Sequence, residues 1–217
     1  MWDFTFLNTF KDQLLQGFFM TLGVSIVALI LSFFFGVVIA GLRMSRFWLF
    51  KTFSYYYIEF FRNTPLFILV CFFYYGNLFG LQSKFWIGTI PLALYTSAYI
   101  AEIVKAGIDS VPTGQFEAAK AYGLTYFQTM IFIVLPQAFR YILPALGSQF
   151  INLVKNSSIL ALIAGGDLLY FTEVISSEAA FLPVYVTTTL LYLLITVPLS
   201  RGVNFLERYF SLKPKSR

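Results

Sequence analysis

Apolar residues dominate this chain in long runs, and polar residues collect in the stretches between them. Residues 13–42 carry no charge, and neither do residues 63–83. About 20 consecutive apolar residues suffice for a helix to cross a bilayer. The pattern therefore predicts five crossings, at residues 13–42, 55–80, 85–107, 140–164 and 182–205. Gly17, Gly23, Gly36 and Gly41 lie along the first and let neighbouring helices approach closely. Pro144 is expected to interrupt the fourth, and Gly165-Gly166-Asp167 to form the turn after it. Residues 1–12 read as an amphipathic lead-in, with Trp2, Phe4 and Phe6 alternating against polar residues at the headgroup level.

Residues 111–136 depart from this pattern. Their mixed polarity predicts two short helices with a glycine joint. Thr113 is the expected N-cap of the first, and Gly123 the left-handed residue that closes it. Thr125 and Gln128 have the spacing of a capping box that opens the second. Ala119 and Gly123, four apart, leave one face bare of bulk for another body to approach.

Composition supports the membrane reading. With 59% hydrophobic and 12% charged residues the chain has too few charges to cover a water-facing surface, where about 25% is usual. Its 217 residues form one transmembrane domain with no room for a separate catalytic one. Histidine is absent, which removes the usual general base and metal ligand. Cys71 is the single cysteine and forms no internal disulfide. No cleavage signal precedes the first apolar run, so it is expected to be retained.

Charge placement sets the orientation. With the C-terminus inside, five crossings put the N-terminus outside. Arg43, Arg46, Lys51, Lys120 and the tail residues Arg208, Lys213, Lys215 and Arg217 then lie inside. Lys11, Lys84 and an acidic connection with Asp167, Glu173 and Glu178 lie outside, the positive-inside pattern. The run 121–139 is also uncharged, but a sixth crossing would expose Arg43, Arg46 and Lys51 outside, so it is not counted. The net charge of +5 is thus a topological signal and gives no reason to expect nucleic acid.

The motif Glu117-Ala118-Ala119, then Gly123, Ile133 and Leu135-Pro136, resembles the EAA coupling loop of binding-protein-dependent ABC importer permeases. TSAYIAEIVKAGIDSVPTGQFEAA resembles the same region of polar-amino-acid permeases, and EFFRNTPL resembles their E-x-x-R-G-T-P-L passage, with Asn63 where glycine is usual. LPQAFRYILP and the tetrad Lys155-Asn156-Ser157-Ser158 resemble the family's fourth span. The resemblance implies an all-α membrane protein of the type I ABC importer fold, with a cytoplasmic coupling helix between the third and fourth spans. It implies that Gln115, Glu117, Ala118, Ala119, Gly123 and Pro136 couple to ATPase subunits. The implied partners are two ATPase subunits, a second permease subunit, identical or related, and an extracytoplasmic solute-binding protein, working in a bacterial cytoplasmic membrane. The chain itself has no G-x-x-x-x-G-K-[ST] loop, so ATP and Mg are expected on the partners and no cofactor on this chain.

Charges within a bilayer mark pathways or partners. Glu59 and Arg62, three apart, are expected to pair; Arg62 faces either the substrate path or the inner headgroups, with Thr64 and Pro65 beside it. Glu102 is expected to pair with Lys105 and, by the resemblance, to brace the third span against the coupling loop. Gln149, Asn152, Asn156 and Ser157 form a polar stripe on the fourth span, read as substrate path or as interhelical glue, with Lys155 beside it. No carboxylate lies between Arg140 and Gly166, which favours a neutral or acidic amino acid such as glutamine, glutamate or aspartate. Other readings are an interfacial helix at residues 111–136, a secondary transporter or channel subunit acting without an ATPase, and a membrane scaffold.

Overall fold

A computed structural model describes residues 3–77 and 80–210. The helices are α1 (Phe6–Arg43), α2 (Trp48–Asn63), α3 (Leu66–Tyr75), α4 (Lys84–Asp109), α5 (Thr113–Ala121), α6 (Tyr126–Thr129), α7 (Leu135–Asn156), α8 (Leu168–Ser176) and α9 (Phe181–Phe210). A π-helical turn, Met130–Val134, joins α6 to α7, and a 3-10 stretch, Ser157–Ile163, continues α7. The described residues contain no strand. The predicted tail cations Lys213, Lys215 and Arg217, and Trp2 of the lead-in, fall outside the described residues.

Four helical segments are long and apolar enough to cross a membrane: α1, α4, the continuous Tyr126–Ile163 and α9. The predicted second crossing comes in two pieces. Pro65 cannot continue a helix through its predecessor's favoured extended backbone, so α2 stops at Asn63 and α3 restarts at Leu66. Both pieces lie along α4. Ile58 of α2 packs near Ala101 late in α4, and Val70 and Phe73 of α3 pack near Ile87 at its start. The broken pair therefore runs antiparallel to α4 along its length.

Small residues hold the bundle together. The buried side of α1 carries Gly17, Thr21, Ser25, Ala28, Ser32, Gly36 and Ala40, at spacings of three and four. Between helices in lipid there is little hydrophobic drive, and close backbone approach supplies the attraction instead. A Cβ on Gly36 would sit 2.5 Å from Ile100, and one on Gly88 2.4 Å from Leu160. Most of the buried side chains of α4 meet α1, α2, α3 or α7, which makes α4 the most enclosed crossing.

Several boundaries differ from the sequence reading. Phe6 belongs to α1, which has already begun, and is buried with Leu14, Leu168, Ile175 and Val184 rather than exposed in a separate lead-in. Residues 126–139 form the foot of the fourth crossing, not a separate connection. Pro144 lies inside α7 without interrupting it. The irregularities fall elsewhere. The π turn ends just before α7 begins with Leu135-Pro136, where the proline lacks an N–H and crowds the carbonyl behind it. The tightening to 3-10 geometry begins at Ser157.

Candidate coupling surface and substrate path

Residues 111–129 form an elbow at one end of the bundle. Thr113 is the first residue of α5, not its cap; Pro112 holds the cap position, suited by its fixed φ. At the other end Gly123 has φ +76° and open space around it, so glycine is needed there for its backbone angle alone. Leu124 N–H donates to the Ala119 carbonyl at 3.1 Å and Gly123 N–H to that of Lys120 at 3.0 Å, the paired bonds of a Schellman motif. The capping box forms as the spacing predicts. Gln128 N–H donates to Thr125 Oγ1, and Thr125 N–H donates to Gln128 Oε1 at 2.9 Å.

This elbow stands on a packed base. Phe116, Met44 and Met130 pack against a buried cluster of Ile100, Ile108, Val111, Val134, Ala138, Ile142 and Leu146. Ala119 points into the bundle and is buried, so the bare face expected between Ala119 and Gly123 is not available to a partner. What faces out is Gln115, Glu117, Ala118 and Gly123. Tyr122, 86% exposed, Tyr126 and Phe127 join them, a set that the sequence reading missed. Their signal was present: three aromatics flank the glycine joint in a segment of mixed polarity. Gln137 Nε2 donates to Gln115 Oε1 at 3.4 Å, tying α7 to α5. Pro136 is exposed and lines a hollow with Phe139, Arg140 and Phe210, none of which belongs to α5.

The predicted ion pairs rearrange. Arg62 pairs across helices with Glu102, Nη1 to Oε2 at 3.4 Å, and lies 5.7 Å from the Tyr99 ring. Lys105 pairs with Asp109 one turn on. Glu59 instead accepts from Asn63 Nδ2 at 2.9 Å, and its backbone carbonyl accepts from the same group at 2.8 Å. The asparagine in place of the usual glycine thus closes the end of α2. Glu102 braces α4 against α2, not against the elbow. Thr64 and Pro65 occupy the break below this pair.

On α7, Asn152 and Lys155 are exposed, and Gln149 and Asn156 half-buried. Ser157 is not on the stripe: five residues beyond Asn152, at about 100° each, it points about 140° away, is fully buried and donates to the Val154 carbonyl at 2.8 Å. Lys155 instead lines a hollow of about 280 Å³ with Ser158, Tyr185, Thr188, Thr189 and Tyr192. The α9 hydroxyls were missed; the run Thr187-Thr188-Thr189 within an apolar span was their signal.

Asp167, expected in an exposed acidic connection, is fully buried at the N-cap of α8. Its Oδ2 accepts from Leu169 N–H at 3.1 Å, while Oδ1 has no partner among the described residues. Burial pushes its pKa up to about 7, helped by nearby Glu173 and opposed by the backbone N–H groups around it. Gly17 makes this placement possible, since a Cβ there would lie 2.9 Å from the Leu168 Cα.

Four helices long and apolar enough to cross a membrane, small-residue interfaces and an exposed elbow on a packed base give the make-up of a multi-pass membrane protein. Residues 32–214 match the family model of the binding-protein-dependent transport system inner membrane component, and the chain belongs to that family, the ABC-importer permeases. It is 46% identical over 201 residues to the probable glutamine ABC transporter permease protein GlnM of Bacillus subtilis (strain 168), covering 89% of this chain and 91% of that one. The arginine transport system permease protein ArtQ of the same organism is 36% identical over 159 residues, 72% of this chain and 73% of its own. The crystal structure of an amino acid ABC transporter with histidines superposes with a TM-score of 0.88 at 34% identity, over 95% of this chain and 98% of that one.

Proposed function

We propose that the chain is the permease subunit of an importer for a polar amino acid, driven by ATPase subunits that grip α5 and α6. The observation that carries this reading is the elbow itself. Gln115, Glu117, Ala118, Tyr122 and Phe127 face outward from a segment whose inner side, Phe116 and Ala119, is locked into the bundle. A push on the exposed side would be delivered to α4 and α7 together. ATP and Mg belong to two partner ATPases, and an extracytoplasmic binding protein delivers the amino acid. A second permease subunit covers the polar side of α7, and the pair alternates between inward- and outward-open states.

The elbow lies on the cytoplasmic side, with the N-terminus outside. Arg46 and Lys120 line one hollow at that end of the bundle, whereas Lys84 and the Asp167 turn share the other end, where Lys84 Nζ donates to the Ala164 carbonyl. Asn152, Lys155 and Asn156 belong to the substrate path, together with the hydroxyls that α9 adds to the Lys155 hollow. That hollow has a cation and no carboxylate in its lining, which suits glutamine, glutamate or aspartate. The similarity to a probable glutamine permease supports the same choice. Glu117→Arg is expected to abolish uptake while leaving the chain inserted and the complex able to hydrolyse ATP. Normal ATP-driven uptake by that variant would overturn the assignment. Arginine uptake without glutamine or glutamate uptake would overturn the substrate choice alone.

A further inference from the structure

A long apolar groove runs between α7 and α9, and the transport reading makes no use of it. Its upper part, about 560 Å³, is lined by Phe33 of α1, by Leu143 and Phe150 of α7, and by Pro198 and Gly202 of α9. A second hollow of about 480 Å³ continues it toward the elbow, sharing Phe139 and lined also by Leu135, Pro136 and Arg140. The two ion pairs among the described residues, Arg62–Glu102 and Lys105–Asp109, leave Arg140 out.

Three features identify what fills it. The first is direction. At about 100° per residue, Phe139, Leu143 and Phe150 lie on roughly the opposite side of α7 from the exposed Ser148, Asn152 and Lys155. The groove thus opens away from the polar side, next to the exposed face of α1, which presents Ile26, Ile30, Phe33 and Phe34. The second is length. From Leu135 to Phe150 the groove follows α7 for about 22 Å at 1.5 Å per residue. One leaflet with its headgroups, half of about 40–45 Å, has the same extent. The third is charge: Arg140 puts a guanidinium beside the elbow portion of the otherwise apolar channel, where a headgroup phosphate would sit.

We propose that this groove binds an anionic glycerophospholipid of the inner leaflet, an acyl chain between α7 and α9 and its phosphate on Arg140. The choice of leaflet rests on the orientation proposed above; the binding itself does not. Gly202 provides a clean probe, because a Cβ there meets nothing within 4 Å and a larger side chain would enter the groove without striking the bundle.

The test is native mass spectrometry of the intact importer complex released from nanodiscs of equal phosphatidylglycerol and phosphatidylcholine. Both leaflets are then alike, so a wrong orientation leaves the result unaffected. The wild-type complex is expected to retain phosphatidylglycerol over phosphatidylcholine by about fivefold, the scale of one cation near an anionic headgroup. Arg140→Gln should remove the preference but not the bound lipid, and Gly202→Phe should reduce both lipids. Equal retention of the two lipids by the wild type would overturn the proposal, as would undiminished binding in Gly202→Phe. So would efficient cross-linking of Gly202→Cys between two permease copies, which would show a protein interface in place of lipid.

Discussion

Two helices of this bundle expose comparable surface and fill it in opposite ways. The outward side of α1 presents Leu15, Phe19, Ile26, Ile30, Phe33 and Phe34, with its small and hydroxyl residues turned inward. The outward side of α7 presents Tyr141, Ser148, Asn152 and Lys155 at spacings of seven, four and three. In hydrocarbon an unsatisfied polar group costs several kcal/mol. The α1 face is therefore built for lipid, and the α7 face for water or another protein. Burial alone would not separate them, because both are open in the single chain; the chemistry of what is exposed does.

The largest test of this contrast places the same charge on both faces. Ile30→Asp puts a carboxylate mid-span against lipid and is expected to cost about 3 kcal/mol of insertion free energy. It should reduce the membrane-inserted fraction in an insertion assay. Asn152→Asp on α7 is expected to insert as the wild type does. Equal insertion defects would mean that both faces meet lipid.

A smaller effect is expected from the inner side of α1. Gly36→Val must displace Ile100, which a Cβ would already approach to 2.5 Å. Overpacking of this kind costs about 1–3 kcal/mol, read as a lower unfolding temperature in detergent. The outward Ile30→Val should change it little.

The mildest test concerns the polar seam where α1 meets α8. Asp167 has a folded-state pKa raised from 3.8 to about 7, so the fold holds its proton more tightly than the unfolded chain does. Its contribution to stability is therefore greatest below pH 3.8 and is lost as pH rises through about 7. Asp167→Asn keeps an acceptor for Leu169 N–H and should flatten the pH dependence of the unfolding temperature across that window. An unchanged profile would place the titration elsewhere.

Local features were legible in the sequence and cross-helix ones were not. Gly123 and the Thr125–Gln128 box depend on residues a few positions apart, and they form as their spacing requires. Four of the five crossings were legible too, because length and apolarity decide them; the second, expected at residues 55–80, is broken at Pro65 into two shorter helices. Glu59 and Arg62 looked like partners because they are three apart, but Glu102 on α4 wins Arg62, and only the packing of α2 on α4 reveals it. Ser157 looked continuous with Asn152, but five residues at about 100° each put it some 140° round the helix, on the side that packs into the core. Asp167 reads as a solvated acid until Gly17, 150 residues earlier, lets α8 dock on α1.

The central claim is that the outward side of α5 is where another protein's movement enters this bundle. Its most direct test is cysteine cross-linking from Ala118→Cys, in a Cys71→Ser background, to the co-expressed ATPase subunit. A cross-linked permease–ATPase product that changes in yield when ATP is bound is the predicted result. A cysteine at 118 labelled only from the outside, or only by lipid-soluble reagents, would contradict the account.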